Sequence, residues 1–222
     1  MSNYWLINAQ SLRDYTFFDV NKIETSSSKT IRGWKDAPKP FKALKKESNI
    51  LANLLDQKNL KYNFIDELIK EKELPTQFGF LPLVMSGYQS LHNSENGGAG
   101  IWSMNYIIAL HHGLLMNRDV DERKCDKYST IAAVNELNRL MLLYKDPNWT
   151  MLAFISSVNY VSSVRNKTGS ESWKDALVAI DKNYLDKINF LYFLESLTIE
   201  NTHQKKVELS TEKAEFEFDH TL

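Results

Sequence analysis

Apolar positions along the chain recur at helical spacing from residue 41 onward, and almost nowhere before it. Ser48 to Leu60 sets Ile50, Leu51, Leu54 and Leu55 on one face, which predicts an amphipathic helix. Asn63 is placed to cap a second helix through Phe64, Leu68 and Ile69 to about Lys72. Pro75 sits where a first turn tolerates a missing N–H. Phe78, Leu81, Val84 and Met85 form the next stripe, with Pro82 inside it, so that helix is expected to bend or to be short. Gly87 to Ala99 is polar and runs into the glycines at 97, 98 and 100. Ile101 to Leu114 is expected to be helical, with Gly113 as its breaker. After a charged loop at 119–126, Ser129 to Tyr144 predicts a helix that buries Ile131, Ala132, Val134, Leu137, Leu140 and Met141. Pro147 and Asn148 reset the chain. Trp149 to Val164 is expected as one central helix, followed by helices at Ser172–Ile180 and Tyr184–Leu197.

Outside this region the pattern weakens. Residues 1–40 lack sustained periodicity apart from a short strand candidate at 15–20, and Pro38 and Pro40 close them. They are expected to form an arm packed on the helical domain at 41–203. Residues 204–222 alternate weakly through Ala214, Phe216 and Phe218, as a short strand or an ordered tail would. The fold class expected is mainly α, with short β or irregular segments only at the termini.

Composition narrows the function classes. With 222 residues, 43% apolar and 25% charged, the chain has enough apolar side chains for one sizeable core. A net charge of −1 supplies no global field for nucleic acid, so no nucleic-acid partner is expected. No apolar run reaches the roughly 18–20 residues of a transmembrane segment. The opening MSNYWLINAQ lacks a basic stretch followed by an apolar one, so it is not expected to be a signal peptide. Cys125 is the only cysteine and lies in no recognisable nucleophile motif. His111 and His112 are adjacent, not at the i, i+4 spacing of a helical metal pair, and no metal is expected. The glycines at 97–100 are followed by no Lys-Ser/Thr, so they are not a phosphate loop, and no cofactor is expected.

One ordered series of short motifs goes further. Leu74-Pro75, Leu81-Pro82, Ser86, Ser94, Gly98-Ala99, Gly100-Ile101-Trp102, Gly113-Leu114, Asp121, Arg123, Asp126, Ser129-Thr130 and Ala132-Ala133 follow one another within residues 73–164. This series resembles the catalytic domain of the lytic transglycosylases of the soluble and membrane-bound murein D types, in the lysozyme-like superfamily. The resemblance implies a lysozyme-like helical domain with a cleft for peptidoglycan glycan strands. It also implies a periplasmic or cell-envelope location, with an envelope protein as a further partner.

The chain departs from that family where its chemistry sits. The family's catalytic acid precedes the Ser of an "ES" pair, and that position here is Met85. General acid catalysis needs a group that carries a proton to the leaving oxygen, and a thioether carries none. The glutamine that follows the family's "GIW" is Ser103, and the "YN" pair falls at Ser156-Ser157, with Asn159 as a nearby substitute. The implied function is a catalytically degenerate domain that binds glycan strands. Two alternatives stand beside it: an active muramidase-like enzyme with Glu95 or Glu122 as a relocated acid, and a protein-interaction module with a vestigial cleft. Candidate ligand-binding residues are Ser86, Tyr88, Ser94, Gly100, Trp102, Ser103, Ser156, Ser157 and Asn159. Trp102 is either a sugar-stacking platform or a core residue with its N–H satisfied. Asp121 and Arg123 are expected to pair and hold their loop.

Overall fold

The structure, a computed structural model, describes residue 55 and residues 58–196. The arm at 1–40, most of the helix expected at 48–60 and the tail at 204–222 lie outside the described residues.

The chain leads in through helical residues 58–61 to α1 (Asn63–Glu71), which buries Ile65 and Ile69 four residues apart. Asn63 is the first helical residue and not the cap. Tyr62 takes the cap position without a side-chain bond. Backbone bonds from Tyr62 N–H to Lys58 O and from Ile65 N–H to Tyr62 O carry the chain across this joint, so a side-chain cap is not required. The proline-bearing stripe is two short pieces in series: a 3-10 helix at Thr76–Phe80 and α2 (Leu81–Ser86). Pro82 falls in the first turn of α2, where its missing N–H costs nothing.

The helix expected at 101–114 is largely absent. Ala99 and Met104 exchange both backbone bonds, at 3.1 and 2.9 Å, so residues 101–103 form a turn between them. Helix α3 (Tyr106–His111) begins only after Asn105, whose side chain accepts from Ile107 N–H at 2.8 Å. Gly113 does end it. Leu114 N–H reaches back to Ala109 O and Gly113 N–H to Leu110 O, the paired bonds of a left-handed C-terminal closure.

A 3-10 turn (Glu122–Lys124) precedes α4 (Asp126–Tyr144), which starts three residues before the expected Ser129. Ala132, Ala133, Val134, Leu137 and Leu140 face inward, whereas Ile131 is 42% exposed, contrary to expectation. Helix α4 packs along α5 (Pro147–Ile155), and α5 on α6 (Val158–Thr168). The single helix expected at 149–164 is therefore broken. Ser156 Oγ donates back to Leu152 O, closing α5. Ser157 is extended, and its hydroxyl accepts from Tyr160 N–H to start α6. Helix α7 is a single turn (Trp173–Ala176) within the longer helix expected at 172–180. Helix α8 is the helical stretch at 182–196.

The core centres on Trp102, Trp149, Phe78, Leu137 and Met151, each at most 1% exposed. Among the described residues there is no strand, only isolated antiparallel bridges. This mainly helical arrangement agrees with the helical domain that the motif series implies. No helix among the described residues is long and apolar enough to cross a membrane.

Candidate functional site

The end of α2 and the glycine-rich turn are joined by one side chain. Ser86, the last residue of α2, is buried, and its hydroxyl lies 2.6 Å from Ile101 O and 3.1 Å from Pro82 O. A buried hydroxyl is stable only when it finds such acceptors. Here the nearer one belongs to the turn, so Ser86 clamps α2 onto residues 100–103. Met85, its neighbour, is half-buried and packs against the core.

The turn itself is tightly constrained. The Ser94 hydroxyl accepts from Gly98 N–H at 2.8 Å, and Ser94 N–H donates to Gly98 O at 2.8 Å. A Cβ at Gly98 would fall 2.3 Å from Ser103 O and 2.8 Å from Ser94 Oγ, so these two serines close on position 98 from two sides. Gly100 has φ +74°, and a Cβ there would land 1.7 Å from Arg123 O. The Arg123 guanidinium donates to Gly97 O at 2.8 Å while holding both Asp121 oxygens, at 2.9 and 2.8 Å. The expected Asp121–Arg123 pair thus pins the turn as well as its own loop. The hydrogen bond from Arg123 holds the Asp121 carboxyl below its ordinary range, against a smaller opposing effect of burial.

Helix α5 meets the turn through aromatic packing. Trp102 is fully buried, its Nε1 donates to Thr130 Oγ1 at 2.9 Å, and its ring meets Phe154 edge-on at 5.9 Å. Phe154 stands just ahead of Ser156-Ser157. The end of α2, the turn and the α5–α6 break therefore converge on one junction.

The candidate residues separate into two sets. Ser86, Tyr88, Gly100 and Trp102 are buried, and each supports the junction from within. Trp102 is the core residue of its two alternatives, because both faces are enclosed and its N–H is satisfied. Tyr88 is 5% exposed and stacks on Tyr62 at 4.8 Å with 14° between the rings. Burial, with the charge of Asp66 and the Tyr62 hydroxyl, pushes its phenol well above the ordinary range. Ser94, Ser103 and Ser156 are half-buried, while Ser157 and Asn159 are exposed. This second set reaches the surface.

The two acids proposed as substitutes differ. Glu95 is exposed in the polar loop. The Glu122 carboxylate accepts from Leu115 N–H at 2.7 Å, and Glu122 N–H donates to Leu115 O at 2.9 Å. Glu122 is thus committed to its own loop.

A buried acid that spacing did not single out lies on α4. Glu136 is 3% exposed and takes bonds from His112 Nε2 at 2.8 Å and from Arg139 at 2.8 and 2.6 Å. Burial pushes its carboxyl up, but the bonds from Arg139 and His112 outweigh it, and the net shift is downward. The signal was present: an acid at 136 interrupts the inward stripe of Ala132, Ala133, Leu137 and Leu140. His112 is held in this cluster, while His111 is exposed beside it. Among the described residues, no three His, Cys, Asp or Glu side chains are grouped to hold a metal ion. Cys125 is exposed at the start of α4.

Comparison with known proteins gives one consistent likeness. No protein-family model matches the chain. The chain is 29% identical over 127 residues to membrane-bound lytic murein transglycosylase D of Escherichia coli K12, and equally to the protein of that name from Escherichia coli O6:H1. The match covers 54% of this chain but only 28% of the length of either relative. The similarity therefore reaches about half of this chain, and it is to a lytic murein transglycosylase.

Proposed function

We propose that this domain binds peptidoglycan glycan strands in the cell envelope without cleaving them. The observation that carries this reading is the side chain at the end of α2. The likeness to a lytic murein transglycosylase supports a role at peptidoglycan, and the position that resembles the family's acid is Met85. Cleavage in that family depends on one carboxyl that protonates the glycosidic oxygen and then assists ring closure by the sugar's own hydroxyl. A thioether does neither. The supporting groups differ too, with Ser103 and Ser156-Ser157 presenting short hydroxyls where the family has longer polar side chains. Two of these hydroxyls are already engaged in backbone bonds, Ser156 to Leu152 O and Ser157 to Tyr160 N–H. Ligand contacts in this reading come from the polar rim of Ser94, Ser103, Ser157 and Asn159, with Ser86, Tyr88, Gly100 and Trp102 holding the junction in shape. A location in the periplasm or elsewhere in the envelope follows from the ligand.

The test is a sacculus assay read by mass spectrometry, together with pelleting of the protein on the same sacculi. Wild type is expected to pellet and to release no anhydromuropeptides. Met85→Glu is expected to stay well below the rate of an active relative, because catalysis needs a held geometry as well as a proton. Turnover by wild type that is lost in Glu95→Gln would overturn the non-cleaving reading. Failure to pellet would overturn the glycan-binding one.

A further inference from the structure

The first half of α8 carries one buried polar group that the described residues leave unsatisfied. Asn189 is only 8% exposed, and its Nδ2 has no hydrogen-bond partner among the described residues. A buried amide donor without an acceptor is costly, so this donor calls for an acceptor beyond the described residues. Asp186 lies one turn earlier and is half-buried. Burial raises its carboxyl to about 6, Lys182 opposes the shift, Asp181 adds to it, and no hydrogen bond contributes. Helical positions three apart are neighbours, with Cβ atoms roughly 5–6 Å apart. A donor without a partner among the described residues and a half-buried carboxyl therefore stand on one helix face.

The same half of α8 borders the junction described above. The Tyr184 ring packs against Tyr160 at 5.0 Å, and Asp181 N–H donates to the Tyr160 hydroxyl at 2.7 Å. Tyr160 N–H is itself bound by Ser157. The charge of Lys187 on α8 is also felt at His92, in the polar loop between α2 and the turn, whose imidazole is lowered by burial first and by that charge second. Helix α8 thus reaches from the start of α6 to the polar loop.

We propose that Asp186 and Asn189 form a sugar-hydroxyl subsite on α8, resting on the glycan-binding reading above. One hydroxyl of the strand accepts from Asn189 Nδ2 and donates to the Asp186 carboxylate. A hydroxyl oxygen bonded in both directions, at about 2.9 and 2.7 Å, holds its two partners roughly 4.5–5 Å apart, which suits adjacent positions on one helix face. The ionised carboxylate makes the stronger of the two bonds.

The test is an NMR titration of the full chain with chitotetraose. Wild type is expected to show shifts at residues 183–190 and at the start of α6. Asp186→Ala and Asn189→Leu are each expected to weaken binding about tenfold or more. Asn189→Leu removes an unpaired buried donor, so its melting temperature is expected to hold or rise, which separates lost binding from lost folding. Between pH 7.5 and pH 5 wild-type affinity is expected to drop by up to roughly tenfold as the carboxylate takes a proton, and Asp186→Asn is expected to flatten that profile. His92, Lys182, Lys187, Asp181, Tyr160 and Tyr184 are the other titratable groups around this face, and the Asp186→Asn control isolates the carboxylate from them. Wild-type binding that survives unchanged in both Asp186→Ala and Asn189→Leu overturns the subsite and leaves the glycan reading standing. No wild-type binding at millimolar ligand removes both.

Discussion

Replacing Gly100 by alanine puts the geometry of the turn to a quantitative test. Two costs add at this position. The backbone is held at φ +74°, and a left-handed conformation costs an L-residue roughly 1–2 kcal/mol. The new Cβ would also lie 1.7 Å from Arg123 O and 2.7 Å from Arg123 C, which are backbone atoms that cannot rotate away. The Arg123 side chain is anchored to Asp121 and Gly97, so moving its backbone strains those bonds. Overpacking of this kind typically costs about 1–3 kcal/mol more. The expected total is about 2–5 kcal/mol, a large share of the roughly 5–15 kcal/mol that holds a typical domain folded. Gly97 supplies the control. Its φ is +78°, yet nothing lies within 4 Å of a Cβ there, so Gly97→Ala carries the strain term alone. Urea unfolding of wild type and both variants, compared through their midpoints at constant m-value, measures the difference. If Gly100→Ala loses no more stability than Gly97→Ala, the Arg123 backbone is not pressed against the turn, and the account of how the loop is pinned fails.

Glu136→Gln is expected to lower stability at neutral pH by about 1–3 kcal/mol, since it weakens the bonds to Arg139 and His112 in a buried setting. The folded-state carboxyl is shifted down, so its contribution is present above its unfolded value near 4.5 and is lost as pH falls through the folded value. Wild-type stability should therefore fall below about pH 4.5 more steeply than that of Glu136→Gln, as chemical denaturation at several pH values will report. Trp102→Phe removes the bond to Thr130 and leaves unfilled volume, at a cost of about 1–3 kcal/mol. Glycan binding per folded molecule is expected to persist in that variant. Selective loss of binding at unchanged stability would instead place the ring against the ligand.

The sequence by itself determined the helical class, because apolar spacing at 3.6 residues survives any tertiary context that buries one face. It also determined the chemical content of the α2 terminus, since no packing gives Met85 an ionisable proton. The Asp121–Arg123 pair was legible too, because two residues of a tight loop meet through local geometry. Other features were left to tertiary structure. The apolar pattern runs unbroken through Ser156 and Ser157, and a serine can continue a helix or cap one. Only the bonds from Ser156 to Leu152 and from Tyr160 to Ser157 decided for a break. Residues 101–103 have helical composition, but Met104 pairs with Ala99, so the N-terminal part of the expected helix became a turn. Trp102 was equally suited to a surface and to a core. Its enclosure depended on Thr130 and Phe154, which lie 28 and 52 positions along the chain. The buried acid at 136 was tolerable only because His112, from another helix, joins Arg139 in hydrogen-bonding it. For Trp102 and Glu136 the deciding partners, Thr130, Phe154 and His112, are distant in sequence, and local propensity carries no information about which distant group will arrive. The break at 156–157 and the turn at 101–103 are closed by near neighbours instead, through bonds that compete with the helix for the same backbone groups.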